Sequence, residues 1–391
     1  MLALLFVGLA TGTFSSRKIE RATYESVPFR FIAGNLHPDH DTLATFRKTF
    51  LPELKDLFVQ LLLLAQMAGV LKLGNISLDR TKIHADAKKS KAVSYKHLLA
   101  LQAHLRAEVE ELFALSEHVD QGDLPDGLVV SDEIAIRQTR LARLAEAKAV
   151  LEARAKERDA LEQAEYDAKM QERDAKARQT GRTPRGRPPK PPTPGPRDKD
   201  QYNFTDPESR IMKHRSTQGF EQDDNAQIAV DQASLLIVGE SLSNHPTDQR
   251  EVEPTLDAIP PVVGPPSAGA MDNGYFSESN IAACERRHIE PDIATGRDPH
   301  HPSWHQRFAA LPDPPASDAS ARLKMAYKLK TAIGKAIYGL RKCTVEPVIG
   351  ISKQVLGFRQ FSLRGEPAAA GEWCLICLAF NLKRLHSLLQ G

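Results

Sequence analysis

Leu73-Gly74-Asn75-Ile76-Ser77-Leu78-Asp79-Arg80-Thr81-Lys82-Ile83-His84-Ala85 alternates apolar and polar residues at a period of two, the pattern of a β-strand with one buried face. Residues 1 to about 70 read instead as helices. An apolar first helix, a break at Ser15-Ser16, a basic second helix, Asp41-Thr-Leu-Ala-Thr-Phe-Arg and a leucine-rich run from Leu51 to Val70 follow one another. The period-two stretch is therefore where the chain enters a sheet, and it carries an acid, Asp79, into that sheet.

Further strands lie downstream. Asn225-Ala-Gln-Ile-Ala-Val-Asp and Leu235-Leu-Ile-Val-Gly-Glu-Ser-Leu read as two strands joined by a short turn, followed by a helix near Thr247 to Ile259. Ala270-Met-Asp-Asn-Gly-Tyr-Phe is a short strand running into a loop, Ser277-Glu-Ser-Asn opens a helix, and Ile289-Glu-Pro-Asp-Ile-Ala-Thr gives one more strand. Strand, hairpin, helix, strand, helix, strand and C-terminal helices make an α/β order with a mixed sheet.

The long gap between the first two strands has a different composition. From 94 to 180 the chain is rich in Ala, Glu, Lys, Arg and Leu and reads as a helical hairpin or coiled coil, a solvated scaffold or dimer surface. A basic Pro-rich linker follows over 181–200, and Lys176 to Asp200 holds 8 Lys/Arg against 2 Asp. Within it Arg185-Gly-Arg187-Pro-Pro-Lys matches the core of an AT-hook, an extended Arg-Gly-Arg that fits the narrow minor groove of A·T-rich DNA. A plain basic linker is the competing reading. The expected organisation is a helical, DNA-binding type of domain over 1–70, the first strand region over 71–93, the insertion over 94–180, the linker over 181–200 and the remainder of the sheet domain over 201–391.

The 391 residues carry a formal net charge of only +2, so a polyanionic partner must be met by local clustering. Such clustering occurs from Ala321 to Gly391, with 12 Lys/Arg against 3 Glu. Four cysteines make no disulfide framework and suit a reducing cytoplasm. Cys374 and Cys377 have CxxC spacing but sit in an apolar helical run without further zinc ligands, so core packing is expected. The apolar start at Met1 lacks a preceding basic residue and is too short to span a bilayer, and no later membrane segment is seen. His300, His301 and His305 lie in a Pro-rich loop without an anchoring Cys pair. No phosphate-binding glycine loop or dinucleotide fingerprint occurs, so nucleotide hydrolysis is not expected.

Five segments carry a family resemblance: Phe14-Ser-Ser-Arg-Lys-Ile, His37-Pro-Asp-His-Asp-Thr, Ser209-Arg-Ile-Met-Lys, Asn225-Ala-Gln-Ile-Ala-Val-Asp and Phe358-Arg-Gln-Phe-Ser-Leu-Arg-Gly. Together they resemble DDE transposases of bacterial insertion sequences, of the insertion-sequence 1182 type, with an N-terminally truncated start expected. The resemblance implies a ribonuclease-H-like catalytic domain and an acidic triad that cuts and rejoins transposon ends with Mg2+ or Mn2+. Asp79-Arg-Thr-Lys matches the family's first acidic motif, with Arg80 in place of a small residue and Asp86 as the next candidate. Asp272-Asn-Gly-Tyr matches the second, where Gly274 permits a tight exit from a strand. Tyr338, Arg341, Glu346 and Lys353 match a Tyr, Arg, Glu, Lys signature, with the Arg-to-Glu gap one residue longer than usual. The implied roles are metal ligation by Asp79, Asp272 and Glu346, and DNA contact by Tyr338, Arg341 and Lys353, beside Arg185 and Arg187 of the linker. Glu346 and Lys353, seven residues apart on one helix, would share a face.

Hard carboxylate oxygens on separate elements suit two divalent ions that activate one phosphodiester oxygen and stabilise another. The partners expected are double-stranded DNA, as transposon ends and target, and a second copy of the chain, in a cytoplasmic, nucleoid-associated setting. The competing class is a DNA-binding protein without catalysis or a decayed transposase remnant; an RNA nuclease would share the same metal site.

Overall fold

A computed structural model describes residues 1–390 except 118–127, 183–185, 214–218, 297–302 and 308–309, and leaves aside the side chains of 54, 306 and 307. Two compact units emerge, one of residues 1–87 with 208–391 and one of residues 88–207.

The first unit begins with helices α1 (Leu2–Ala10), α2 (Ser16–Glu25), α3 (Val27–Ile32), α4 (His40–Thr49) and α5 (Leu51–Met67). Leu4, Leu5, Ile19, Phe29 and Leu43 close a small core among the first four. Asp39 caps α4 by accepting from the Asp41 N–H. Glu20 of α2 accepts from the His40 backbone and ring nitrogens at 3.2 and 2.7 Å, which ties α2 to the start of α4.

The chain then enters β1 (Asn75–His84), where the period-two stretch places it. In the second unit, β2 (Ala92–Ser94) pairs with β3 (Gln201–Asn203), and between them run helices α6 (Tyr95–Glu117) and α7 (Val130–Thr180). Val93, Leu98, Leu105, Leu144 and Leu151 pack between these elements, and Gly181 ends the 51-residue α7 in the left-handed conformation at φ 62.

Back in the first unit come β4 (Arg210–Lys213), β5 (Phe220–Asp231), β6 (Ile237–Ser243), α8 (Val252–Asp257), β7 (Ala268–Met271), α9 (Glu278–Arg286) and β8 (Glu290–Ile293). The helices α10 (Trp304–Arg307), α11 (Ala321–Lys328), α12 (Ala332–Gly339), α13 (Arg341–Gly350) and α14 (Glu366–Gln390) complete it. The sheet runs β4-β5-β1-β7-β8, with β6 also paired to β5. β5 lies antiparallel to β1 and β6, whereas β7 is parallel to β1 and to β8.

β5 begins five residues earlier than the period-two reading places it. Its first half, Gln222-Asp-Asp-Asn225, is polar and hides the strand pattern, yet all four residues are buried, in a segment that pairs with β1, β4 and β6. α14 is buried along most of its first half and packs on α5 and β6. Cys374 and Cys377 lie inside it, about 1% and 0% exposed, and burial pushes both thiols well above the usual range. They are core residues, as their apolar surroundings predict. No described helix is long and apolar enough to cross a membrane.

Candidate active site

The register of two parallel strands sets the site. Ser77 on β1 pairs with Ala270 on β7, so two residues further on, just past the end of β7, Asp272 comes level with Asp79. Side chains two apart in a strand share a face, and parallel neighbours lie about 4.8 Å apart. α13 covers that face: the Thr344 hydroxyl donates to the Ser77 hydroxyl at 2.8 Å, with both side chains buried. Two residues beyond Thr344, Glu346 reaches the rim with half its side chain exposed.

Arg341, in the first turn of α13, lies across the cluster. One guanidinium nitrogen donates to Asp79 Oδ2 at 2.7 Å and the other to Glu346 Oε1 at 3.3 Å, with 9% of the side chain exposed. The Tyr338 ring, at the end of α12, stands 5.9 Å from the guanidinium carbon. Asp79 also accepts from the Arg80 N–H. Burial nevertheless raises the Asp79 carboxyl to about 6, opposed by Arg341 and reinforced by the negative charges of Asp272 and Glu346. Asp79 is therefore within electrostatic reach of both other acids.

Asp272 is held by its own turn: Oδ1 accepts from the Gly274 N–H at 2.8 Å. Lys353 lies beyond Pro347, where the α-helix widens into a π-turn over Ile351–Val355. The two-turn spacing from Glu346 is thus broken, because a π-turn takes more residues per revolution. The Lys353 ammonium donates to Thr81 Oγ1 at 3.0 Å and Lys82 O at 2.7 Å, on the Asp79 face of β1, and burial lowers its pKa.

Other expected residues fall elsewhere. Asp86 pairs with Arg364 at 2.8 Å. Arg187 is exposed in the second unit, while Arg185, His300 and His301 lie outside the described residues. His305 is exposed and stacks on Trp304. Among the described residues, the one group of three metal-type ligands within 4.8 Å is Glu20, Asp39 and His40, which is the cap of α4 already described.

Arg80 turns to the opposite face of β1 from Asp79. It pairs with Asp248 at 2.8 Å and donates to Pro246 O at 3.1 Å, so it does not crowd the acids. Asp248 is a buried acid close to Asp272 that no sequence signal singles out.

Two families match the ends of the chain: a transposase DDE domain over residues 315–386 and a transposase domain (DUF772) over residues 1–49. Both matches are to transposase domains, and together they support a DDE transposase of an insertion sequence. The DDE match holds Tyr338, Arg341, Glu346 and Lys353, and the other covers α1 to α4. No curated protein matches the chain.

Proposed function

We propose that this transposase cleaves DNA at the terminal inverted repeats of its element and joins the freed 3′ ends to target DNA, using Asp79, Asp272 and Glu346. The observation that carries this reading is the convergence of the three carboxylates at one end of the β1–β7 pair under α13. The strand order supports a ribonuclease-H-like domain: with the insertion and β4 set aside, it is β6-β5-β1-β7-β8, the first three strands antiparallel and the last two parallel to the first.

The residues fit a divalent metal. All three donors are hard carboxylate oxygens, which suit Mg2+ or Mn2+. Asp79 is buried beside two further acids, so its ionised form gains from added positive charge. Asp79, Asp272 and Glu346 would hold the metal, which supplies activation of the attacking oxygen and charge neutralisation at the phosphate. The chain's own groups do the rest. Ser77 and Thr344 fix α13 on β1, the Gly274 N–H orients Asp272, and Arg341, Lys353 and Tyr338 would contact DNA phosphates. Arg187, with Arg185, would grip the minor groove from the linker, and a homodimer would bring two element ends together.

A non-catalytic DNA-binding role is the second reading. It is favoured by the Arg341 guanidinium, which already partners Asp79 and Glu346. One assay separates the two: cleavage and strand transfer of a labelled element end, with and without Mg2+. Wild-type protein should cleave only with the metal, and Asp272→Asn should abolish cleavage while retaining the gel shift. Cleavage by Asp272→Asn rules out the triad; binding without cleavage by the wild type selects the second reading.

A further inference from the structure

Asp272 lies outside any strand, so its place beside Asp79 is set by the turn over 272–276 and by whatever holds that turn from behind. The holding groups form a continuous buried chain. The Tyr275 hydroxyl donates to Gln227 Oε1 at 2.5 Å, Gln227 Nε2 donates to Asn225 Oδ1 at 3.2 Å, and Asn225 Nδ2 donates to Asp248 Oδ1 at 3.3 Å. Tyr275, Gln227, Asn225 and Asp248 are each at most 4% exposed. Asn280 Nδ2 adds bonds to Tyr275 O at 2.7 Å and Gln249 O at 3.0 Å, pinning the end of the turn next to Asp248.

Two contacts make Asp248 the junction of this chain. Its Oδ1 receives Arg80, the residue that follows Asp79 on β1. Its Oδ2 lies against the turn itself: a Cβ on Gly274 would stand 2.8 Å from it and 3.0 Å from Asp272 Oδ1. Only glycine allows the turn to press between the two carboxylates. An unpaired charge in such a place is costly; here Arg80, Asn225 and Gln227 meet it, while the charge of Asp272 opposes it. A buried acid set close to another acid works against local stability, a departure expected where function constrains the site.

We propose that Asp248 is a positioning residue: through Arg80 on one side and the Gly274 turn on the other, it fixes the spacing of Asp272 from Asp79. The proposal rests on the reading of these two acids as metal ligands. It gives the Asn225-Ala-Gln227 segment and the atypical Arg80 a shared purpose, since all three hold Asp248.

The test is Mn2+ binding by the full-length protein, measured by calorimetry and by the Mn2+ electron-spin signal, beside thermal unfolding. Partners of metal ligands typically change affinity by about 10–100-fold when altered, so Asp248→Asn should weaken Mn2+ binding by at least about tenfold. Cleavage should then need correspondingly more Mn2+ and recover at saturation, leaving gel-shift affinity unchanged. Should that variant fail to fold, Arg80→Met combined with Asp248→Leu replaces the pair by apolar side chains, an exchange often tolerated for stability. This pair should unfold cooperatively and still bind Mn2+ at least about tenfold more weakly. Wild-type Mn2+ affinity in a folded variant, while Asp272→Asn loses it, overturns the positioning role and leaves the triad standing. Unchanged Mn2+ binding by Asp272→Asn overturns the triad and the positioning role with it.

Discussion

β1 carries an arginine–aspartate pair on each face, and the two pairs are built differently. Arg341 meets Asp79 at 2.7 Å and Arg80 meets Asp248 at 2.8 Å, with both carboxylates largely buried. Around Asp248, neutral amides of Asn225 and Gln227 supplement the arginine. Around Asp79 stand two more acids and one backbone N–H. The first environment meets its charge with three donors against one neighbouring acid, Asp272; the second keeps an excess of negative charge and shares one guanidinium between Asp79 and Glu346. A closed pair suits a support, and an under-compensated one suits a site that takes up further positive charge.

Asp79→Asn should produce the largest effect. It keeps the shape but removes the charge at the centre of the cluster, so Mg2+-dependent cleavage should fall by more than about a thousandfold, the scale of losing a group that acts in the transition state, while gel shifts persist. Cleavage within tenfold of wild type would erase the proposed difference between the two faces.

Arg341→Ala should come next, and its effect is on stability. The substitution leaves Asp79 buried beside Asp272 and Glu346 without its cation, and loss of one partner of a buried pair costs about 3 kcal/mol or more. The metal-free variant should melt well below wild type. Mg2+ should restore more stability to the variant than it adds to wild type, because the competing guanidinium is gone and stabilisation grows with ligand occupancy. Equal Mg2+ responses would show that Arg341 and the metal do not share Asp79.

The pH dependence of the metal-free protein follows from Asp79. Its carboxyl is raised from 3.8 to about 6, so between those values the native state holds a proton that the unfolded chain has released. The contribution of Asp79 to stability is then greatest below about 4, falls as pH rises to 6, and levels off above, a change of roughly 3 kcal/mol at about 1.4 kcal/mol per pKa unit. Denaturation at pH 4.5 and pH 7 should show a smaller difference in Asp79→Asn than in wild type. An undiminished difference would assign the dependence to other raised acids such as Asp248.

The contrast between the faces also marks what sequence can disclose. Alternation from Leu73 to Ala85 is a local signal, so β1 and the place of Asp79 on it are readable from the chain. Asp272-Asn-Gly-Tyr is readable through the family resemblance, with Gly274 permitting the tight exit from the strand. Asp248 offers no local cue: its burial depends on Arg80 and Asn225, 168 and 23 residues away in the chain. The polar start of β5 is hidden likewise, since Gln222 to Asn225 become strand only when neighbours on both sides supply hydrogen bonds. The π-turn over Ile351–Val355 follows Pro347 in an otherwise helical pattern, and periodicity alone extends the helix through it.

The smallest effect should fall on a third arginine–aspartate pair that serves as a control for the other two. Arg364 meets Asp86 at 2.8 Å, the same distance as Arg80 and Asp248, but with 57% and 36% of the side chains exposed. Water screens such a pair, and exposed ion pairs contribute about 0–1 kcal/mol. Asp86 also lies seven residues beyond Asp79, past the end of β1, where it cannot reach the space between Asp79 and Asp272. Asp86→Asn should therefore change cleavage by less than about twofold and stability by less than about 0.5 kcal/mol, read in the same cleavage and denaturation assays. A loss approaching that of Asp79→Asn would move the first acid of the site from Asp79 to Asp86. The burial and neighbouring charges that separate Asp79 from Asp86 would then not be what the reaction depends on.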